Sequence, residues 1–175
     1  MLKDGTKHWP QDVRLRQLLG LSLARSGAVE HGNAILRELS NEAEADGETL
    51  GILASTYKDL WETAADPSLA KRNLKLSHDI YFQAFSVSLE KDDVESSYYN
   101  GINAAATALL MGQQQKARDL AEQVDRLCDR AMSSNNPDGD SYWAIATRGE
   151  ASLILGKYER AAAHYSHAAR LAQGR

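Results

Sequence analysis

Apolar and polar residues alternate with a helical period along almost the whole chain. Val13, Leu15, Leu18, Leu19, Leu23 and Ala24 recur at three- and four-residue steps and predict a first helix over 11–26. Gly27 breaks that run, and Ile35, Leu36 and Leu39 carry a second helix to about residue 44. A third helix is predicted over 48–63 and a fourth over 68–89. The fifth, over 96–111, is rich in small residues: Gly101, Ala104, Ala105, Ala106 and Ala108. Gly112 ends it, and Ala117, Ala121 and Val124 mark a sixth helix to about residue 132. The seventh and eighth are predicted over 140–155 and 157–173. No strand is expected. The charged run Glu90–Glu95 reads as a loop, and SSNNPDGD ahead of the seventh helix as a polar linker. Pro10, Pro67 and Pro137 each stand near the head of an apolar-periodic run, where a missing amide costs little.

The small residues are spaced as regularly as the large ones. Gly149 and Gly156 are followed by Tyr158, Ala161, Tyr165 and Ala168. With a break at Gly156, Gly149 and Ala161 allow two helices to touch while Tyr158 and Tyr165 fill the space beside them. Gly20 and Gly27 repeat the separation of the two glycines, and Gly32 takes the place of Ala161. This spacing resembles the tetratricopeptide repeat, a helix–turn–helix unit of 34 residues that stacks into a superhelix. Ser77, Tyr81 and Ala84 align with Ala161, Tyr165 and Ala168, and Gly51 with Gly149, but the turn between is too long. The excess lies around Leu60–Arg72 and reads either as an inserted segment at the repeat edge or as a longer helix pair. The expected fold is all-α: a right-handed superhelix of about four antiparallel helix pairs, the second carrying the long inter-helix insertion. Residues 1–9 are expected to form a tail and 10–175 a single solenoid domain.

Three further blocks occur in order. They are Leu50-Gly51-Ile52-Leu53-Ala54 running into Tyr57-Lys58-Asp59-Leu60-Trp61; then Tyr81, Ala84 and Phe85; then Tyr98-Tyr99-Asn100-Gly101-Ile102-Asn103-Ala104-Ala105. Together they make Gly47–Val124 resemble the TRAF-binding helical region of the apoptosis signal-regulating MAP kinase kinase kinases and its bacterial relatives. The resemblance implies a regulatory scaffold in signalling. It does not bring kinase activity, because no glycine-rich phosphate loop or HRD-type catalytic loop is present. Within the blocks, Tyr57 and Trp61 are expected to pack as a pair, and Lys58 with Asp59 to form an anchoring ion pair. Asn100 and Asn103 are expected to bond to neighbouring structure.

The net charge of −4 and a pI near 5.7 do not suit a general nucleic-acid binder, which needs a basic face. Cys128 is the single cysteine and has no partner for an internal disulfide, which fits a reducing, cytoplasmic setting. MLKDGTKHW has no apolar run of a secretory signal, and no apolar stretch is long enough to span a membrane. Catalytic signatures are missing: no G-x-S-x-G elbow, Walker loop or G-x-G-x-x-G occurs. His164 and His167 share a helix face but lack a third metal ligand in any recognisable motif. SNNPDGD resembles part of a calcium loop, yet Ile145 stands where the bidentate glutamate is required. Neither enzyme activity nor a cofactor is expected.

The expectation that remains is a protein-interaction module. Stacked pairs leave a concave face lined by the first helix of each. Repeat alignment puts Arg14, Gln17, Leu21 and Arg25 there, then Glu48, Ile52 and Thr56. Tyr99, Ile102, Ala106 and Leu110 follow, then Trp143, Ala146 and Glu150. The expected partner is a peptide or helix of another protein, not nucleic acid or membrane. Chaperone C-terminal tails are disfavoured, since Gln17 and Leu21 occupy two places of the carboxylate-clamp set. A scaffolding or self-assembly segment of a larger multidomain signalling protein is the first alternative, with a homo-oligomer among the partners considered. A small-molecule sensor is a more distant one.

Overall fold

The computed structural model describes residues 8–42, 46–133 and 141–173. The linker at 134–140 with Pro137, and most of the expected tail, lie outside these. Eight helices and no strand occur among the described residues: α1 (Val13–Arg25), α2 (Val29–Glu42), α3 (Gly47–Thr63) and α4 (Pro67–Glu90), then α5 (Val94–Leu110), α6 (Gln114–Ser133), α7 (Ser141–Ile154) and α8 (Tyr158–Ala172).

Their ends follow from local chemistry. Asp12, Asp46 and Asp93 cap α1, α3 and α5, each carboxylate accepting a backbone N–H three residues on: Leu15 at 2.8 Å, Thr49 at 2.6 Å and Ser96 at 3.0 Å. Gly27, Gly112 and Gly156 close α1, α5 and α7 in the left-handed conformation. Each turn has the same two closing bonds, as in Gly27 N–H to Ala24 O and Ala28 N–H to Leu23 O. Asp92 makes the corresponding turn after α4 with φ 55°. The charged run 90–95 is therefore not a loop throughout. Glu90 ends α4 and Val94 opens α5, because Asp92 can turn the chain and Asp93 can cap the helix that follows.

The excess length around Leu60–Arg72 is taken up as helix. α3 runs on to Thr63, three residues connect, and α4 opens on Pro67 with Asp66 accepting from Ser68 N–H at 2.9 Å. Asn73 Nδ2, donating to Leu60 O at 3.2 Å, ties the lengthened ends together.

Two compact units divide the chain, the first extending to Gln83 and the second beginning at Ala84. In the first unit α1 and α2 approach closely at Gly20 and Gly32. Leu36 occupies the space a Gly20 side chain would need, and Gly32 lies directly against the Gly20 carbonyl. Leu36, Leu39, Leu50, Leu53 and Ala54 form its apolar interior. Alongside them runs a polar seam. Gln17 Nε2 donates to Thr49 Oγ1 at 2.7 Å, Asn33 Nδ2 to Thr56 Oγ1 at 2.8 Å, and Ser77 Oγ to Ala54 O at 2.9 Å.

The second unit has a more apolar centre. Tyr98 and Ile102 of α5 meet Ala121, Val124 and Cys128 of α6 and Ala144 and Ala151 of α7, with Leu155 just beyond. Gly101 admits Val124 and Phe85, and Gly149 admits the Tyr165 ring. A charged network joins three helices: Arg148 Nε donates to Asp125 Oδ1 at 2.9 Å, its Nη1 meets Asp129 at 2.5 Å, and Arg160 reaches Asp125 Oδ2 at 3.2 Å.

Candidate protein-interaction surface

In the second unit, α5 and α7 pack through Tyr98, Ile102, Ala144 and Ala151. One helical position further round, each presents a row away from that contact: Tyr99, Asn103, Ala106 and Leu110 on α5, and Trp143, Ala146, Glu150 and Leu153 on α7. Tyr99 (48% exposed) and Trp143 (58%) hold equivalent places near the starts of the two helices. Leu110 and Leu153 are exposed toward the other ends. Trp143 is steadied by Tyr142, edge to face at 4.9 Å between centroids and 78° between planes. Asn103 Nδ2 donates back to Tyr99 O at 2.9 Å within α5. Glu150 is exposed and close enough to Tyr165 to push its phenol upward, although burial is the larger cause.

Ile102, expected in this row, is a core residue (3% exposed). Its neighbour Tyr99 faces out instead, because Ile102 shares the side of α5 that α6 and α7 cover. Two expectations in the first unit are corrected in the same way. Gln17 and Thr56 are 2% and 0% exposed. Their polar groups bond to Thr49 and Asn33, and Thr56 Oγ1 also donates to Leu53 O at 2.7 Å. They join helices and present no surface to a partner. Arg14, Arg25 and Glu48 are exposed, and Leu21 and Ile52 half-buried. Arg14 pairs with Glu48 and donates to Gln17 Oε1 at 3.2 Å, so it ties α1 to α3 at this edge.

Tyr57 and Trp61 are half-buried. Among the described residues no ion pair joins Lys58 and Asp59. Burial, then the nearby Glu62, raises the Asp59 carboxyl, with Lys58 opposing.

A feature that periodicity does not signal is an open cleft of ≈ 500 Å³ lined by Pro10, Gln11, Arg16, Leu19, Ile35, Glu38 and Glu42. Arg16 and Glu42 form a two-point ion pair in it, one arm 3.0 Å long. Their hydrogen bond is the main cause that raises the Arg16 guanidinium and lowers the Glu42 carboxyl. Separated by 26 residues, the two could be matched only once α1 was placed against α2.

Among the described residues no group of three or more histidines, cysteines or carboxylates is placed to hold a metal ion. His164 accepts from Arg160 Nε at 3.4 Å. No described helix is long and apolar enough to cross a membrane. The Cys128 thiol is buried and pushed up to about 12, chiefly by desolvation, so it is not an activated nucleophile.

Antiparallel helix pairs, closed by repeated left-handed turns and touching at small residues, define a tetratricopeptide-type repeat protein. Proteins of this class generally act as interaction modules. Residues 1–111 match the Tetratricopeptide Repeats-Sensor (TPR-S) family, and the chain belongs to it. No curated protein matches the chain in sequence. A thermophilic TPR protein of Thermus thermophilus has a similar structure, with 18% identity and a TM-score of 0.75 over 99% of this chain and 80% of that one. The nearly identical TPR-like repeats of a protein described as a Podospora anserina kinesin light chain are also similar. They show 16% identity and a TM-score of 0.60, over 95% of this chain and 78% of that chain. At these identities the likeness concerns fold alone.

Proposed function

We propose that this protein is a non-enzymatic interaction module whose α5–α7 face takes up a peptide segment or helix of a partner protein. The observation that carries the reading is the exposed pair Tyr99 and Trp143, at equivalent places on two packed helices. Large aromatic side chains bring much contact area at little entropic cost, and such residues dominate interface energies. Ala106 and Ala146 leave room between the aromatics and the leucines beyond them. In the first unit Arg25 is an exposed cation of the first-helix row, while Arg14 and Glu48 are paired with each other. The resemblance of 47–124 to a TRAF-binding region points to signalling as the setting.

The test is a set of peptides selected from a random library on the whole chain. Trp143→Ala should bind them about 30-fold more weakly, ~2 kcal/mol, with an unchanged melting temperature. Glu62→Ala, a change at an exposed rim charge, should cost under about 1 kcal/mol. Normal binding by Trp143→Ala would overturn the reading.

A second reading follows from membership of the Tetratricopeptide Repeats-Sensor family, matched over residues 1–111. Under it, a small molecule binds the first unit and alters how the protein meets its partner. A metabolite screen that raises the melting temperature while no peptide is selected would favour this reading over the first.

A further inference from the structure

The outward rows of α5 and α7 lie on one side of the second unit. On α5, Tyr99 follows the contact residue Tyr98 by one position, while on α7 Trp143 and Glu150 precede Ala144 and Ala151 by one. The two helices run the same way, each being the first of an antiparallel pair. Opposite rotations away from their shared contact therefore lead to the same face. Trp143 stands level with Tyr99, and Glu150 with Ala106, two turns or ~10 Å further along. Glu95 is exposed one turn ahead of Tyr99.

The charge on this face has one sign. Glu95 is the only charged residue of α5, and α7 has only Arg148 and Glu150. Arg148 is turned inward, its side chain 11% exposed and engaged by Asp125 and Asp129 of α6. Ahead of α5, Asp92 pairs with Arg130 and Asp93 caps the helix, so those carboxylates are engaged elsewhere. The aromatic pair is thus bracketed by the carboxylates of Glu95 and Glu150, and neither helix contributes a cation to the face.

Resting on the reading of this face as a docking surface, we infer that the partner segment it takes is basic. An apolar anchor of the partner sits between Tyr99 and Trp143, and arginine or lysine side chains on either side of it meet Glu95 and Glu150. Arginine suits the surface best, because its guanidinium stacks on an aromatic face and also gives a carboxylate two parallel N–H groups. Its stem covers apolar surface on the way, and Ala106, level with Glu150, leaves space for it. The two carboxylates stand ~16 Å apart along the helix direction. An extended segment crosses that span in about five residues. An acidic segment of the same apolar content would set like charges together at both ends.

Two peptide libraries matched in apolar residues, one with arginine and the other with glutamate as its only charge, test this on the whole chain. Binders should come from the arginine library, and Trp143→Ala should weaken them about 30-fold. Glu150→Lys should weaken a selected peptide about tenfold, and replacing the arginine of that peptide by glutamate should restore binding to this variant. Raising the salt to about 0.5 M should weaken the wild type about tenfold, and a Glu95→Gln, Glu150→Gln double variant less than twofold. A purely structural role for either carboxylate would move neither the charge exchange nor the salt dependence. The inference is overturned, with the docking face still standing, if the glutamate library yields equal binders that Trp143→Ala loses. It is also overturned if the charge exchange fails to restore binding, or if the double variant keeps the salt dependence. If neither library yields a binder, or the binders ignore Trp143→Ala, the face itself is wrong and the inference falls with it.

Discussion

Replacing Gly32 by alanine tests the closest approach in the first unit, and its sign is decided by what the new methyl group meets. Alanine in a helix interior is favoured over glycine by about 1 kcal/mol. Against this, a Cβ at Gly32 would fall inside the contact distance of the Gly20 carbonyl oxygen and lie 3.1 Å from Ala24 N. Both obstacles are backbone atoms within α1, so neither can turn aside. α1 and α2 must separate instead, which loosens Leu36 and Leu39, 0% and 3% exposed. Overpacking typically costs about 1–3 kcal/mol, and a backbone obstacle belongs at or above the upper end. The expected net loss is about 2 kcal/mol. With a urea slope of about 2 kcal/mol per molar, the midpoint should fall by about 1 M. Gly149→Ala is the control. There the obstacle is the Tyr165 ring, whose atoms lie 2.8–3.0 Å from the new Cβ, and the ring is exposed enough to swing away. Gain and cost should nearly cancel. Urea titrations followed by circular dichroism give both numbers. A Gly32→Ala protein as stable as wild type, or one less perturbed than Gly149→Ala, would refute the close-approach argument.

The stability of the second unit should depend on pH through His164. Burial is the first cause that lowers its imidazole, followed by Arg148 and Arg160, with Asp125 opposing and His167 adding slightly. The folded chain therefore binds fewer protons than the unfolded one, and stability should fall as pH drops through about 6.5, the ordinary histidine value. Melting temperatures between neutral and mildly acidic pH should show this slope, and His164→Gln should flatten it. Asp125→Ala should destabilise by about 3 kcal/mol, since it strips Arg148 and Arg160 of a shared, largely buried carboxylate. Chemical denaturation of Asp125→Ala beside an Arg148→Met, Asp125→Leu double variant measures it, and the double should recover part of the loss. Cys128, with its thiol pushed up to about 12, should resist alkylation in the native protein and react only as the chain unfolds. Labelling as fast as a free thiol would contradict its burial.

Helix positions were legible because the apolar period recurs along the chain and three of the breaks have a glycine turn: Gly27, Gly112 and Gly156. The break after α4 was harder to place, because Asp92 does the work of a glycine inside a run of charges. Aspartate tolerates the left-handed region better than most residues, but it carries no punctuation in a charged sequence. The lengthened second pair was visible only as excess residues. Whether they projected or continued the helices depended on Pro67, which fits the first turn of a helix, and on Asp66 ahead of it. The close approaches were legible because Gly20 and Gly149 share one repeat place, and Gly32 holds the place of Ala161 on the facing helix. Gly101 admits Phe85 and Val124 from a different place, so the repeat register alone did not reveal it.

The surface was read less well, and Gln17 and Thr56 show why. A polar residue on the first helix of a pair suggests solvent or a ligand, since burying an amide without a partner costs about 1–3 kcal/mol. In the first unit the partner is another helix. Gln17 meets Thr49 and Asn33 meets Thr56, each at a separation no local pattern encodes. Fully paired, these bonds roughly offset the desolvation they require, and they add what leucines in the same places would not: a fixed register. Sliding α1 by one residue against α3 would leave the Gln17 amide and the Thr49 hydroxyl both buried and unmet. The second unit uses Ile102, Val124 and Cys128 at its centre, with the Arg148–Asp125 pair beside them, and there the outward aromatics stand out as surplus to packing. A polar first-helix residue therefore indicates a binding face only where the next pair offers no complementary side chain. By that criterion Trp143 and Tyr99 remain candidates, while Gln17 and Thr56 belong to the fold.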